Sequence, residues 1–286
     1  MFDIKPIDLS EDGLKEIQVF LKLVFPHASH LSLAYLRWLY VDNPNGQAVG
    51  ANVYDGSMLI AHFPAQAIAT VFKGVAEKGL LALNVAVRPD YRGKGLFKLA
   101  GEAMFELAKV QGYGHVIGAA NAASTKPWLK HMNAQLIGPL DVKVGGGWLP
   151  GRNEAHNFAY KLQWGSAALD WRLKRPGQCY FFAEQAGEKK LYTKAPIVAG
   201  LGPYLELGTI AESVSLPEAG LAFYVNPMRL WIGFDSSRDW SGTWYADIPE
   251  KFRTSPLNVI FCDLTGQRRR LERGDVRLDA LDFDVY

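Results

Sequence analysis

Cysteine is scarce: Cys179 and Cys262 are the only two among 286 residues. They lie far apart and without metal-ligand spacing, which excludes a disulfide framework or zinc site and fits free thiols in a reducing compartment. No apolar run approaches the ~20 residues that span a bilayer, so no membrane partner is expected. Neither sign of charge dominates, with 31 Lys+Arg against 29 Asp+Glu and a formal net charge of +2. That balance leaves no electrostatic footprint for nucleic acid. Asp3, Lys5 and Asp8 interrupt the first ten residues, so no signal peptide is read there and the cytoplasm is the expected location. No Ser-His-Asp or Cys-His signature points to a covalent intermediate. His27 and His30 suit a metal by spacing but lack a third ligand, and no metal is expected.

What is present is a globular composition, 49% apolar and 21% charged, long enough for one large or two medium domains. A first strand falls in residues 1–10. Leu14, Ile17, Leu21 and Val24 then continue at helical spacing to Phe25-Pro26. A second helix, Leu31 to Val41, ends at Asn43-Pro44-Asn45-Gly46 and presents Tyr35, Trp38 and Tyr40 on an aromatic-rich face. Ala48 to Tyr54, Leu59 to Phe63 and Ile68 to Lys73 read as a strand meander with Asp55-Gly56 at a hairpin turn. The chain pivots on Leu81 to Phe97. Leu81, Leu83, Val85 and Val87 share a strand face, and Pro89 ends the strand. The spacing predicts a helix from about Gly95 to Gln111, capped by a left-handed Gly112. Strand His115 to Ala119 follows, which makes the fold class α/β.

The loop Arg92-Gly93-Lys94-Gly95 has a chemical reason for its composition. Residues without Cβ let the backbone approach a ligand, and the N–H groups opening the helix point outward. With the helix dipole and Arg92, Lys94 and Lys98, this is an anion site suited to a pyrophosphate. It is not a Walker A loop, since no Gly-Lys precedes Ser or Thr, nor a Rossmann fingerprint, which needs a third glycine. An ordinary strand-to-helix turn with solvated lysines also fits the loop taken alone.

Leu83 to Phe97, a hydrophobic strand, then Pro, then Arg-x-x-Gly, resembles the acyl-CoA-binding motif of the GNAT N-acyltransferases. Arg92 and Gly95 match, while Phe97 stands where the family has Gly or Ala. Asn121-Ala122-Ala123-Ser124, leading into a helix to Met132 and a turn at Asn133, is similar to the family's pantetheine-side segment. The resemblance covers roughly residues 1–145. It implies a mixed, splayed sheet with flanking helices, and acetyl-CoA or another short acyl-CoA as co-substrate. In that plan Val85 N–H polarises the thioester carbonyl and Val87 pairs with the pantetheine amide. Arg92, Gly93, Lys94, Gly95, Leu96 and Phe97 hold the pyrophosphate, and Asn121 and Ser124 the far side of the arm. Core packing is the simpler reading of that aromatic face, but the family's wall around the acceptor makes Trp38 and Tyr40 candidates for substrate contact.

Gly145-Gly146-Gly147 and Pro150 mark the expected break, giving a domain over 1–145 and an acceptor-binding α/β half over 146–286. Arg229 to Phe234, Thr243 to Ile248 and Leu257 to Phe261 read as strands there, and Arg268-Arg269-Arg270 as a solvated turn. Tyr224-Val225-Asn226-Pro227, Trp231 to Ser236 and Ser255 to Phe261 resemble two-part GNAT proteins that acylate nucleotide-linked 3-amino-3,6-dideoxyhexoses for surface polysaccharide such as O-antigen. The implied acceptor is a dTDP-amino sugar, with Trp231 a candidate for stacking the base. The alternatives are an amino acid, peptide or antibiotic amine, or a non-catalytic acyl-CoA sensor. Where the family often has a tyrosine acid, this chain has Leu129, so either the thiolate leaves without a side-chain acid or Ser124 or a water protonates it. Asn84 can orient the amine, and His62 is the titrating candidate, with a satisfied core histidine as the alternative. The oligomeric state is left open.

Overall fold

The computed structural model describes residues 2–153, 155–185, 187–195, 202–210, 215–253 and 255–283. The first half runs through β1 (Asp3–Pro6), α1 (Glu11–Val24), α2 (Leu33–Tyr40), β2 (Val49–Asp55), β3 (Met58–Phe72), β4 (Val75–Ala82) and β5 (Ala86–Val87). It continues with α3 (Leu96–Val110), β6 (His115–Ala120), α4 (Ala122–His131) and β7 (Gln135–Pro139). Ser10 and Ser32 cap α1 and α2 by accepting the backbone N–H of Gly13 and Tyr35. Gly112 adopts φ +77° after α3 and Asn133 φ +51° after α4, the left-handed ends expected of both.

Two expected strands, Leu59–Phe63 and Ile68–Lys73, prove to be one: β3 runs unbroken through Pro64. A turn with Lys73 at φ +48° and Gly74 at φ +80° then returns the chain as β4, a hairpin geometry. β4 pairs antiparallel with β3 and parallel with β6.

The second half comprises β8 (Asp141–Gly146), β9 (Tyr160–Leu162), α5 (Ser166–Leu173), β10 (Phe181–Gln185), β11 (Glu188–Lys194) and β12 (Tyr204–Ile210). It ends with α6 (Leu221–Val225), β13 (Met228–Phe234), β14 (Tyr245–Asp247), β15 (Asn258–Asp263) and β16 (Val276–Asp279). Strand order is β10-β11-β12-β13-β16-β9-β3-β4-β6-β15-β7 in one continuous sheet, with β9 and β16 linking β13 of the second half to β3 of the first.

The expected boundary at 145/146 is not a seam in this architecture. It falls inside β8, and β15 crosses back to lie between β6 and β7, pairing antiparallel with both. The first-half strands β6 and β7 are therefore bridged by residues 258–263. One apolar core reflects this, packing Phe72, Ile117 and Leu81 with Leu230, Phe234, Val259 and Phe261. A second core lies between the sheet and α3 and α4, and a third beneath α1 and α2.

The Arg268–Arg270 turn is corrected as well. Arg269 is not solvated: it donates to Glu77 Oε2 (2.6 Å), Asp263 Oδ1 (2.7 Å) and the Gly114 carbonyl (2.7 Å). Glu77 also accepts from His115 Nδ1 at 2.6 Å, and Tyr160 OH lies 3.1 Å from His115 Nε2. Burial opposes the charge on Glu77, but the hydrogen bonds from His115 and Arg269 outweigh it and hold the carboxyl at about 2. This cluster pins the β15–β16 connection onto β4.

A chain cut after Pro150 should accordingly lack a cooperative unfolding transition in a circular-dichroism melt. It loses the strand that separates β6 from β7 and leaves both edges unpaired. A cooperative melt from that fragment would show β15 to be dispensable.

Candidate active site

The site begins as a fault in strand pairing. Ala82 stands opposite Ala65, and Ala86 opposite His62. Leu83, Asn84 and Val85 therefore face only Phe63 and Pro64, a one-residue bulge. Asn84 absorbs it with φ +54°, a left-handed conformation that asparagine tolerates. Pro64 brings no N–H to a place where the ladder is broken. β4 and β6 pair from Gly79↔His115 to Ala82↔Gly118, whereas β5 pairs with β3 alone. The sheet thus splays beyond Ala82, with Leu83, Asn84, Val85 and Val87 each part-exposed along the opening. Arg88 N–H donates to Ile60 O at 2.9 Å, so by strand alternation Val87 N–H faces the open side.

Both parallel strands feed helices at this end, as in other α/β sheets where ligands sit beyond the carboxyl ends of strands. Gly95 caps α3 at φ +77° without any side-chain cap, and Gly93 turns at φ +80°. The first turns of α3 and α4 carry no acidic residue. The helix-opening N–H groups of Leu96, Phe97 and Lys98 thus lie beside exposed Arg92, Lys94 and Lys98, an arrangement whose charge suits an anion. Lys94 lies over the Tyr91 ring at 4.1 Å. The Phe97 ring turns inward, 5.1 Å from Phe63 and 5.6 Å from Trp128, and fills the seam between α3 and α4.

Behind the bulge runs a chain of hydrogen bonds with a single polarity. Asn84 Nδ2 donates to Tyr40 OH (3.1 Å), and Tyr40 OH lies 3.2 Å from His62 Nε2. His62 Nδ1 meets Asn52 Oδ1 at 2.7 Å; Asn52 Nδ2 donates to Tyr54 OH (3.2 Å), and Tyr54 OH to Glu16 Oε2 (2.8 Å). The amide oxygen of Asn52 only accepts, so His62 carries its proton on Nδ1 and takes Tyr40's hydrogen bond on Nε2. Burial pushes the imidazole down to about 3, so it is neutral, and it pushes the Tyr40 phenol well above its ordinary value. His62 has no exposure at all. It does not face a substrate, as a general base would have to. Its contact toward the bulge is Tyr40, which in turn holds Asn84.

Other expected site residues are placed differently. Trp38 is buried in a reciprocal pair with Trp171: each indole Nε1 donates to the other's backbone carbonyl at 2.8 Å, and the rings stack at 4.7 Å. Such a pair is worth roughly 0.5–1.5 kcal/mol beyond its buried area, and it offers no face to a ligand. Trp231 is only 1% exposed, packed against Trp240, so it is not placed to stack a base. Asn121 and Ser124 form a capping box on α4: Ser124 N donates to Asn121 Oδ1 (2.8 Å) and Asn121 N to Ser124 Oγ (3.1 Å). Leu129 is exposed on the same helix. Tyr40, a candidate for substrate contact or for core packing, is fully buried behind the bulge. Asn52, Tyr54 and Glu16 were not expected at the site.

The histidines make stability depend on pH. Unfolded His62 titrates near 6.5 but stays neutral in the fold to about 3. Between those values the unfolded chain binds the extra proton, so stability is full above pH 6.5 and falls below it, by up to about 1.4 kcal/mol per pH unit. His115, lowered by burial against the pull of Glu77, adds in the same direction. Glu77 contributes its loss only below its ordinary 4.5. Melting temperatures of wild type should thus fall between pH 6.5 and 4.5, and more shallowly in His62→Gln. Equal slopes would mean that His62 titrates normally in the fold.

No protein-family model matches this chain, and no curated protein sequence matches it. Solved structures do. A GCN5-related N-acetyltransferase from Anabaena variabilis ATCC 29413 superposes with a TM-score of 0.61 at 9% identity, over 92% of this chain and 73% of that one. A conserved protein of unknown function from Enterococcus faecalis V583, described as a probable N-acyltransferase, gives 0.57 at 12%, over 92% and 73%. Eis1 from Mycobacterium abscessus gives 0.56 at 9%, over 92% and 74%. At such identities the likeness is one of architecture, and the splayed mixed sheet with its flanking helices is the GNAT fold.

Proposed function

We propose that this chain is an acyl-CoA-dependent N-acyltransferase that passes a short acyl group directly to a primary amine. The observation that carries the reading is the splay of β4 and β6 at the Asn84 bulge, with the cationic α3 N-terminus opening on the gap. Arg92 to Phe97 would hold the pyrophosphate through backbone N–H groups. The N–H groups of Val85 and Val87 would meet the thioester and pantetheine. Amine nitrogen attacks the thioester carbon, the C–S bond breaks, the nitrogen gives up a proton and the thiolate gains one.

Asn84 would orient the amine: its Nδ2 donates to Tyr40 OH, and its Oδ1 is able to accept. An amide cannot take the proton, so water is the base, which suffices for an amine of modest basicity. Ser124 Oγ donates only a long 3.3 Å bond to Asn121 O, so its hydroxyl can turn to the thiolate. The acceptor we favour is a nucleotide-linked amino-deoxy sugar in cytoplasmic steps of surface-polysaccharide synthesis. What supports it is the likeness of Trp231–Ser236 and Ser255–Phe261 to such enzymes. Those phrases lie largely in β13 and β15, so they build the sheet that carries the site. Release of free thiol from acetyl-CoA with a panel of dTDP-amino sugars, amino acids and aminoglycosides tests the reading; no turnover with any amine would favour an acyl-CoA sensor.

Gly95→Val places a β-branched residue at φ +77° in the α3 loop and should raise the CoA dissociation constant more than tenfold, about 1.4 kcal/mol, by calorimetry. Unchanged affinity in a folded variant would remove the loop from the binding site. Leu129→Tyr should not raise turnover substantially. A gain of ~100-fold, the low end of general-acid contributions, would mean that an acid is missing there.

A further inference from the structure

The hydrogen-bond chain behind the bulge has one end that cannot be turned round. Glu16 lies on α1 one turn before Phe20, whose ring meets His62 edge-on at 6.4 Å. Residues at this spacing share a helix face, so α1 both covers the histidine and supplies the last acceptor. A carboxylate has no proton to give, so Tyr54 OH donates to Glu16 Oε2, at 2.8 Å. Burial and that bond push the Tyr54 phenol up to about 12, which keeps its proton in place.

Each further group then has one choice. With its proton given to Glu16, the Tyr54 oxygen accepts from Asn52 Nδ2 at 3.2 Å, and Asn52 turns its Oδ1 to His62 Nδ1 at 2.7 Å. An oxygen that only accepts requires the imidazole proton on Nδ1 and leaves Nε2 bare. Tyr40 OH, 3.2 Å away, donates to that nitrogen and so accepts from Asn84 Nδ2 at 3.1 Å. Asn52, His62 and Tyr40 are at most 1% exposed, so the sequence of donors runs without help from bulk water. What Asn84 retains for the splay is its Oδ1.

The reverse order satisfies the buried groups equally well. Both amides flip, His62 becomes the Nε2–H tautomer, and every contact is made again except the one at Glu16. A charge on α1 therefore decides between two arrangements that the interior leaves balanced. They differ at the splay. The observed order offers an incoming amine a carbonyl oxygen, which takes an N–H and leaves the lone pair for the thioester carbon. The reverse order offers an NH2 group, which would hydrogen-bond that lone pair and hold it from attack.

We infer that Glu16 is a positioning residue: through five hydrogen bonds it sets which atom Asn84 presents to the acceptor. The part played in transfer rests on the N-acyltransferase reading above, and the control of polarity along the chain does not.

Nitrogen NMR of the full chain, with His62→Gln identifying the signal, should show wild-type His62 as the Nδ1–H tautomer alone. Glu16→Gln, whose amide can donate or accept, and Tyr54→Phe, which cuts the chain, should each bring in the Nε2–H tautomer. Both should lower kcat with a primary amine about tenfold, the scale of one misdirected hydrogen bond. CoA affinity by calorimetry should not change, and the double variant should be no worse than either single one. Two variants on separate elements guard against a folding defect in one. An unchanged tautomer in both folded variants overturns the inference. So does a shifted tautomer with kcat unaltered in an active enzyme, or losses that add in the double variant. If the tautomer shifts while wild type acylates no amine, the transferase reading falls and the control of polarity by Glu16 stands.

Discussion

The structure depends on a strand that stays paired on both edges while each neighbour slips by one residue against it. β3 pairs with β2 on one side, and with β4 and β5 on the other. On the first side the register shifts between Val53 and Tyr54, which sets Asn52 opposite His62. On the second the shift falls at Leu83–Val85. A slip of one residue exchanges the faces of everything beyond it. The two slips meet across β3 near residues 60–64, and the hydrogen-bond chain from Asn84 to Glu16 runs through His62, at that crossing. Without both, Asn84 would be an unremarkable strand residue and His62 would face a different partner.

The chain also resolves a tension between burial and chemistry. A histidine wholly out of water is a poor proton acceptor, and here the low dielectric keeps it neutral. In that state it makes two directional hydrogen bonds, one donated and one accepted, as a neutral imidazole can. What it contributes is orientation, and the buried polar groups along the chain satisfy one another. Leaving one unpaired would cost about 1–3 kcal/mol, which favours a single arrangement at the bulge.

What was legible in the sequence is local. The strand–loop–helix from Leu81 to Gln111 shows itself by period-two and helical spacing, and Gly112 and Asn133 by the conformations that only such residues adopt easily. What was illegible depends on register and on distant pairing. The turn at Asp55-Gly56 is readable, but simple counting from it would oppose Asn52 to Ala61; the extra residue in β3 moves the partner to His62. β15 reads as a buried strand, yet nothing in its apolar run says that it lies between β6 and β7. Arg269 looks solvated among neighbouring arginines, because its partners Glu77 and Asp263 are brought to it by the sheet. Trp38 and Trp231 were expected at a ligand because aromatics serve both cores and pockets, and burial decides between the two.

The late strand in an early sheet has a consequence for biosynthesis. β6 and β7 leave the ribosome long before β15, and at ordinary elongation speeds the interval is on the order of ten seconds. Throughout it two strand edges remain open, one of them apolar through Val116 and Ile117. Pairings so distant along the chain also form slowly, since loop closure must come first. The nascent first half therefore keeps aggregation-prone edges until residues 258–263 arrive, and its expression should be more sensitive to chaperone supply than its finished stability suggests.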